Sequence, residues 1–386
     1  MDVSKYSPNI FGQAKKTIGT HSYVAFFPSP IPRTIDLPSD IVKLLSEAEA
    51  SLGRLSGVGQ ILPNPHLLIR PYLLREALAS TLIEGTQASL AQMFEFEAVG
   101  GTPSADIEEV LNYIHALEWG TERMRELPIC VRLVLEMHER VLAGVRGRAR
   151  RPGEIRTTQN WIGDGYTTIK DATFVPPPPD ELSELLSDWE QFANEETSIP
   201  LLIQNALLHY QFETIHPFLD GNGRLGRLLI IFFLMYRNRL SAPLLYVSSY
   251  FERDRKRYYE SLQTVRQEGN IYPWLQLFLE AVQSQSDDAV YRANRIIQLR
   301  EEYRTAASNV SSINAVSLVD LICETPILSA RLVEKRLSVT RPTAIALMRK
   351  MVKLGVLTQE TAGSRSQLRF VARELMEALG RNQTPQ

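Results

Sequence analysis

The 386-residue chain is long enough for two or three domains, and its 44% apolar and 22% charged residues are the balance of an ordinary globular protein. A formal net charge of −2 argues against wholesale binding to nucleic acid or to an anionic membrane, although the stretch from Ser311 onward is basic, with 11 Lys/Arg against 6 Asp/Glu. The two cysteines, Cys130 and Cys323, form neither a CxxC pair nor a disulfide framework, which fits a reducing cytoplasm. The N-terminus lacks the apolar stretch of a signal peptide. The longest apolar run, Leu228 to Tyr236, is far shorter than the roughly 20 residues that span a bilayer. A soluble cytoplasmic protein without membrane association is expected.

Residues 1–35 carry several prolines and little periodicity, and read as an extended arm. From Ser39 the pattern turns helical, with Ile41, Leu44, Leu45, Ala48 and Leu52 on one face and Ser39 or Asp40 as N-cap. A second helix is expected to start near Pro71, a favoured first-turn residue. It stops at Glu84-Gly85, where glycine takes the left-handed capping position. Amphipathic helices follow at about 105–126 and 128–144, and the basic stretch RGRARRPGEIR, ending at Arg156, reads as a solvated loop. Alternating Thr, Trp, Ile and Tyr around Gly163-Asp164-Gly165 predict a short β-hairpin, and Pro176 to Pro179 an extended segment that cannot pair. Helices resume at Asp180 and continue to about residue 282, followed by a charged helical linker.

The segment His216 to Arg227, HPFLDGNGRLGR, concentrates chemistry. Its Gly221-Asn222-Gly223 turn delivers the N-terminus of a strongly apolar helix. Glycine lets the backbone approach a phosphate closely, and unpaired N–H groups and the helix dipole attract negative charge. Arg224 and Arg227 stand three apart on one helix face and can grip successive phosphates. Asp220 can supply the oxygen that a Mg²⁺ bridging those phosphates requires. His216 is the one group nearby that exchanges protons near pH 7. Each feature alone is ordinary, since a lone histidine is usually structural and a surface arginine usually solvated. A base, a metal ligand, an anion cradle and two cations in so short a segment are hard to explain as packing.

At every defined position this segment matches the signature HxFx(D/E)GNGRxxR, and over roughly residues 30–285 the chain resembles the Fic family. The resemblance implies a mainly α protein with a helical Fic (Fido) core and a short β-hairpin flap. It also implies transfer of AMP from ATP to a Tyr, Ser or Thr hydroxyl of a target protein, the chain itself included. On that likeness His216 would be the general base and Asp220 would hold Mg²⁺. Asn222 and the amides of Gly221 and Gly223 would cradle the α- and β-phosphates, and Arg224 and Arg227 would hold the β- and γ-phosphates. Phe218 would be a buried anchor for the loop. Relatives with lysine in place of Gly223 act as kinases, so glycine favours nucleotidyl transfer. The physics agrees: attack on the α-phosphorus expels pyrophosphate, whose growing charge needs cations already in place. A hydroxyl of pKa well above 7 needs a positioned base.

The same resemblance assigns a flap that aligns the target as an added strand, with Thr157 to Gly163, Ile162 included, as its first arm and Thr173 to Pro176 as its second. Asp254 and Tyr258, beside Tyr259, sit where relatives build the adenine pocket, although a Tyr pair on a helix is more often core. Ser80 to Gly85, STLIEG, matches the family's inhibitory motif (S/T)xxxE(G/N), placed ahead of the core in the arrangement called class II. A carboxylate at Glu84, in a helix's last turn, faces the negative end of the dipole at a cost of about 0.3–1 kcal/mol if uncompensated. The resemblance nominates Arg227 as its partner, and the pair would occupy the arginine meant for the γ-phosphate. In some relatives the same glutamate aligns water to remove AMP, so a predominantly de-AMPylating enzyme stays open.

Downstream, Pro326 to Leu337 reads as a helix, Ser338 to Thr340 as a turn and Pro342 to Leu354 as a second helix. Val356 to Thr358 and Leu368 to Val371 read as strands of a wing, and the whole resembles a winged helix-turn-helix domain. Arg349, Lys350, Lys353 and Arg365 could contact DNA phosphates, yet such domains also dock proteins or form homodimers, and these uses stay open. The expected division is an N-terminal helical region, 1–115, with its inhibitory helix at about 71–85, then a Fic core, 116–285. A helical linker, 286–310, and a winged-helix domain, 311–386, complete it. The rival reading is a DNA-binding regulator whose Fic-like part only senses nucleotide, for which His216 would be superfluous. A zinc hydrolase is dismissed, because His209 and His216 are seven apart and no HExxH occurs.

Overall fold

The computed structural model describes the chain apart from residues 19–21, 62–65, 145–149, 164–166, 309–311, 363–366 and 381–386. In chain order a hairpin of β1 (Gly12–Lys16) and β2 (Val24–Pro28) precedes helices α1 (Ser39–Ile61), α2 (His66–Ile83), α3 (Leu90–Val99), α4 (Ala105–Arg123) and α5 (Val131–Val141). Then come α6 (Leu182–Asn194), α7 (Leu201–Ile215), α8 (Asn222–Tyr236), α9 (Ser248–Arg253), α10 (Arg255–Glu268) and α11 (Tyr272–Ser308). The C-terminal part runs α12 (Ile313–Glu324), β3 (Ile327–Leu328), α13 (Ala330–Leu337), α14 (Arg341–Lys353), β4 (Thr358–Ala362), β5 (Gln367–Val371) and α15 (Arg373–Gly380). The protein is therefore mainly α, and no described helix is long and apolar enough to cross a membrane.

Helices α7 and α8 form the centre because neither has a polar face. Every residue from Leu202 to Ile215 is buried, and so is every residue from Arg224 to Leu234. Polar side chains inside α7 are satisfied by neighbouring carbonyls: Gln204 donates to Phe192 at 2.7 Å, Asn205 to Ile230 at 3.1 Å and Gln211 to Ser29 at 3.0 Å. The indoles of Trp189 and Trp274 donate to the carbonyls of Leu208 and Ala206, bracing α7 from two sides. The turn joining α7 to α8 is thus carried on rigid elements, and that turn is the segment from His216 to Gly221.

Several sequence expectations need correction. The supposed extended arm contains the β1–β2 hairpin, in register from Gly12↔Pro28 to Lys16↔Val24. It is held by tertiary packing that no local periodicity reports: the Phe26 amide donates to the Val175 carbonyl at 2.9 Å, and Phe26 joins Tyr6, Phe174 and Val175 in a small core. Among the described residues the expected hairpin at 157–176 reduces to one antiparallel bridge, Ile162↔Phe174, and its Asp164-Gly165 tip lies outside the described residues. Helix α2 starts ahead of Pro71, which sits inside it; burial of Tyr72, Leu73, Leu74 and Ala77 outweighs the missing N–H. Helix α3 was not foreseen, although Ser89 and Gln92 close a reciprocal capping box in front of it. The stretch expected as a linker is the second half of α11, buried at Ala289, Ala293, Ile296 and Leu299.

In the C-terminal part β3, β5 and β4 form an antiparallel sheet in that order, flanked by α12, α13 and α14. The helix expected from Pro326 is split: Ile327 pairs with Val371, and α13 begins only after Ser329, which caps it through the Leu332 amide at 3.2 Å. Arg365 lies outside the described residues.

Candidate active site

His216 ends α7 in the left-handed conformation (φ 50°, ψ 60°), unusual for a residue with a Cβ, and its amide donates to Phe212 at 2.9 Å. This conformation turns the chain out of α7 and is held from outside by Arg156. The Arg156 guanidinium donates through Nε to the His216 carbonyl at 2.9 Å and through Nη2 to the carbonyls of Pro177 and Ile215 at 2.6 and 3.4 Å. Arg156 is buried, and burial lowers its pKa to about 10. It was assigned to a solvated basic loop; nothing in that run of arginines distinguishes the one that turns inward. The His216 Nδ1 is enclosed and has no hydrogen-bond partner, while the residue as a whole is half-buried. Burial, with Arg156 and Arg266 nearby, lowers the imidazole pKa to about 3, so the ring is neutral at physiological pH.

Phe218 is fully buried and stacks on His138, with ring centroids 3.7 Å apart. His138 accepts from the Gly153 amide at Nδ1 (2.9 Å) and therefore presents Nε2–H to the Asp220 carbonyl at 3.0 Å. The Phe218 amide donates to Asn222 Oδ1 at 2.9 Å, while Asn222 Nδ2 and Asn160 Nδ2 donate to the Phe218 carbonyl at 2.9 and 2.8 Å. Asn222 therefore spends its side chain on closing the loop, and only its backbone amide faces the cradle assigned to it. Gly221 takes φ 78° as N-cap of α8, and a Cβ there would press on Leu142 at 3.3 Å. The first amides of α8 lack partners within the helix, as at any helix start.

Asp220 and Arg224 flank that helix start. Arg224 is buried, with Nη2 at 3.3 Å from Asp220 Oδ1 and Nη1 at 3.6 Å from Glu109 Oε2. Asp220 accepts from the Gly221 amide at 2.6 Å through Oδ1, and among the described residues Oδ2 is approached by Arg150 at 3.8 Å. No cluster of three His, Cys, Asp or Glu side chains among the described residues could hold a metal by itself. A single half-exposed carboxylate beside an anion cradle fits a Mg²⁺ that takes its other ligands from phosphates and water.

Arg227 is 1% exposed and tied to α2: Nε donates to Ser80 Oγ at 2.9 Å, and Nη2 donates to the Ser80 carbonyl at 2.8 Å and to Glu84 Oε1 at 2.7 Å. Burial opposes its charge, but Glu84 together with Tyr258, Tyr259 and Glu213 outweighs this and raises its pKa. Gly223 is the wall of this contact: an added Cβ would overlap Glu84 Oε1 and come within 3.0 Å of Arg227 Nη1. Beneath lies Glu213, buried, its Oε1 unpartnered, its pKa pushed up to about 7 by desolvation. His209 donates from Nδ1 to the Gly226 carbonyl at 3.1 Å and accepts from Tyr258 Oη at 2.8 Å. Tyr258 is thereby a core residue, 1% exposed, and the nucleotide-facing role expected of it is corrected; its neighbour Tyr259 is the exposed member of the pair. Asp254 caps α10 through the Arg257 amide at 2.9 Å. The structure thus gathers Glu84, Asp220, Asn222, Gly223, Arg224 and Arg227 around one helix start, and leaves Tyr258 behind it. Ile162 and Gly163 stand on the loop whose Asn160 holds the Phe218 carbonyl.

The Arg156 clamp gives a first expected result. Arg156→Met keeps the buried stem but strips the donors from three enclosed carbonyls, at about 1–3 kcal/mol each. The melting temperature should fall by several degrees, because the lost bonds hold the left-handed turn at His216 in place. Thermal melting of the two proteins side by side reads it, and an unchanged midpoint would remove the clamp's structural role.

The helical core thus brings a helix N-terminus, two buried arginines and a neutral histidine together at one place. Residues 42–122 match the Fic/DOC family N-terminal model and residues 128–234 match the Fic/DOC family model, so these two stretches are Fic/DOC family domains. Among curated relatives, protein adenylyltransferase Fic of Drosophila grimshawi is 33% identical over 212 residues, covering 53% of this chain and 40% of that protein. The Drosophila melanogaster protein of the same name is 31% identical over 212 residues, covering 53% and 39%. The matched segment spans about two fifths of the length of these relatives. A solved Fic family protein from Desulfovibrio desulfuricans superposes with a TM-score of 0.59 at 21% identity, covering 92% of this chain and all of the other. Fic-1 of C. elegans superposes at 0.50 with 22% identity, covering 67% and 74%. At these identities the structural likeness speaks for the fold alone.

Proposed function

We propose that the protein transfers AMP from ATP to hydroxyl side chains of target proteins, itself included, and that Glu84 restrains the reaction. The observation that carries this reading is the single helix start at which Asp220, Gly223, Arg224 and Arg227 meet the histidine-ended α7. The free amides of α8 and Arg224 receive the phosphates. Arg227, once freed of Glu84, holds the outermost phosphate, so that the bond to the α-phosphorus lies toward His216. The neutral imidazole accepts the target hydroxyl's proton as oxygen attacks, and pyrophosphate leaves against cations already in place. Asp220 would hold a Mg²⁺, which neutralises phosphate charge when bound. Tyr259, exposed beside Tyr258, is the better candidate for contact with the nucleobase. Segment 157–163 aligns the target, Ile162 and Gly163 offering main-chain pairing beyond the single bridge.

Parallel incubations with ATP labelled at the α- or the γ-phosphate test the reaction class. Label should enter protein from the α position and not from the γ position, with a mass increase equal to AMP. Incorporation from γ alone would make the protein a kinase and overturn the proposal.

A further inference from the structure

The nucleotide site leaves the outer face of α14 without a role. Its inner face, Ala344, Leu347, Met348 and Met351, is buried in the C-terminal core. The outer face carries Arg341, Arg349, Lys350 and Lys353, all exposed, and no acidic residue occurs in the helix. At 100° per residue, Arg349 and Lys353 project within about 40° of each other, with Lys350 on one flank and Arg341 on the other. Elsewhere most surface arginines are paired, as with Arg54–Asp287 at 2.8 Å, Arg373–Glu360 at 2.8 Å and Arg369–Glu95 at 2.8 Å. Among the described residues, none of the four cations on α14 has a carboxylate within ion-pair distance. A run of like charges left unneutralised costs self-repulsion, and a polyanionic partner removes that cost.

The leading half of the helix says which polyanion. There the exposed side chains are small, namely Pro342, Thr343 and Ala346, with Ile345 half-buried, so the helix can approach an opposing surface closely. Thr340 and Thr343 hydroxyls lie 2.9 Å apart at the helix start and can donate to acceptors ahead of it. Helix α13 precedes across a tight turn in which Ser338 is left-handed (φ 53°), so the two helices make a helix-turn-helix. Small and methyl-bearing residues leading, cations trailing, is the arrangement that lets a helix enter a major groove while its basic end meets the phosphate backbone. A membrane surface would call for large, fully exposed apolar side chains on this face, whereas the exposed residues of α14 are small or basic.

We propose that α14 is the docking helix for duplex DNA, leading end in the major groove and Arg349, Lys350 and Lys353 on the phosphates. The proposal is independent of the nucleotidyl-transfer reading, since none of these residues belongs to the nucleotide site. The test is fluorescence anisotropy of the full-length protein with a labelled mixed-sequence duplex at 50 and 200 mM salt. Wild type should bind with a steep salt dependence. The R349A/K350A/K353A variant should lose at least tenfold in affinity at the lower salt, with a log–log salt slope shallower by about 2.7, or 0.9 for each phosphate contact. Ala346→Glu, at the leading end, should abolish binding with no change in melting temperature. Automodification with labelled ATP, read on the same samples, should be unchanged in all variants. No duplex binding at 50 mM salt, or equal binding by wild type and triple variant, overturns the proposal. So does equal or tighter binding to polyglutamate at matched charge, which would make the face a dock for acidic protein.

Discussion

Glycine in place of Glu84 is expected to raise AMP incorporation from ATP by roughly 10- to 100-fold. That range follows from a charge-assisted hydrogen bond of about 1.5–3 kcal/mol that ATP no longer has to displace. The pair is 2.7 Å long, and Arg227 is almost wholly enclosed while Glu84 is 34% exposed. Removing the glutamate therefore opens a path to the arginine without hollowing the core. Arg227 does not collapse, because two of its bonds go to Ser80, one to the hydroxyl and one to the carbonyl. Its Nη1, facing Gly223, stays aimed at the helix start. The variant should also melt earlier than wild type without nucleotide, since a buried guanidinium has lost its counter-charge, and should regain the difference when ATP and Mg²⁺ are added. Glu84→Gln, which keeps the volume and one acceptor, should fall between. Label incorporation measured side by side decides the matter: equal rates with and without Glu84 would remove its inhibitory role.

The candidate loop was legible because its chemistry is local. A glycine turn, two arginines one helical turn apart and an aspartate before them meet at a helix start whatever surrounds them, and the structure brings them there. The Glu84–Arg227 contact was legible only through a short motif; its physical half, a carboxylate at a helix end wanting a cation, does not name which cation. What stayed hidden depends on burial decided by distant parts of the chain. Arg156 is one arginine of a basic run until Ile215, His216 and Pro177 turn their carbonyls toward it. His138 lies on an amphipathic helix like any core histidine, and only the loop packed on it gives it work. Tyr258 and Tyr259 cannot be ranked by sequence, because adjacent helix positions point about 100° apart and the rest of the fold selects the inward one. The β1–β2 hairpin was missed for the same reason, its apolar face being completed by residues some 150 positions later.

His216→Ala should abolish transfer in both the wild-type and the Glu84→Gly background while leaving ATP binding within a factor of two or three. Loss of a positioned base is worth about 10²–10⁴-fold, which would take the proposed transfer to background. On the proposed reading ATP binding should survive, because the phosphates would be held from the other side, by the start of α8 and the two arginines, and because the backbone turn at 216 is fixed through carbonyls that alanine retains. The pH profile separates a base from a structural histidine. Burial holds the imidazole pKa near 3, far below its usual 6.5, so the base form is present throughout pH 5–9 and kcat/KM should show no acid limb around 6.5. Glu213, three residues upstream and raised to about 7, is the group that could mimic such a limb, ionising as pH rises beneath Arg227. In Glu213→Gln any limb near neutrality should vanish while the dependence on His216 persists. Nucleotide titration, label incorporation and the two profiles together distinguish the outcomes: retained transfer in His216→Ala would leave the imidazole a purely structural cap, and loss of ATP binding would make it part of the nucleotide cradle instead.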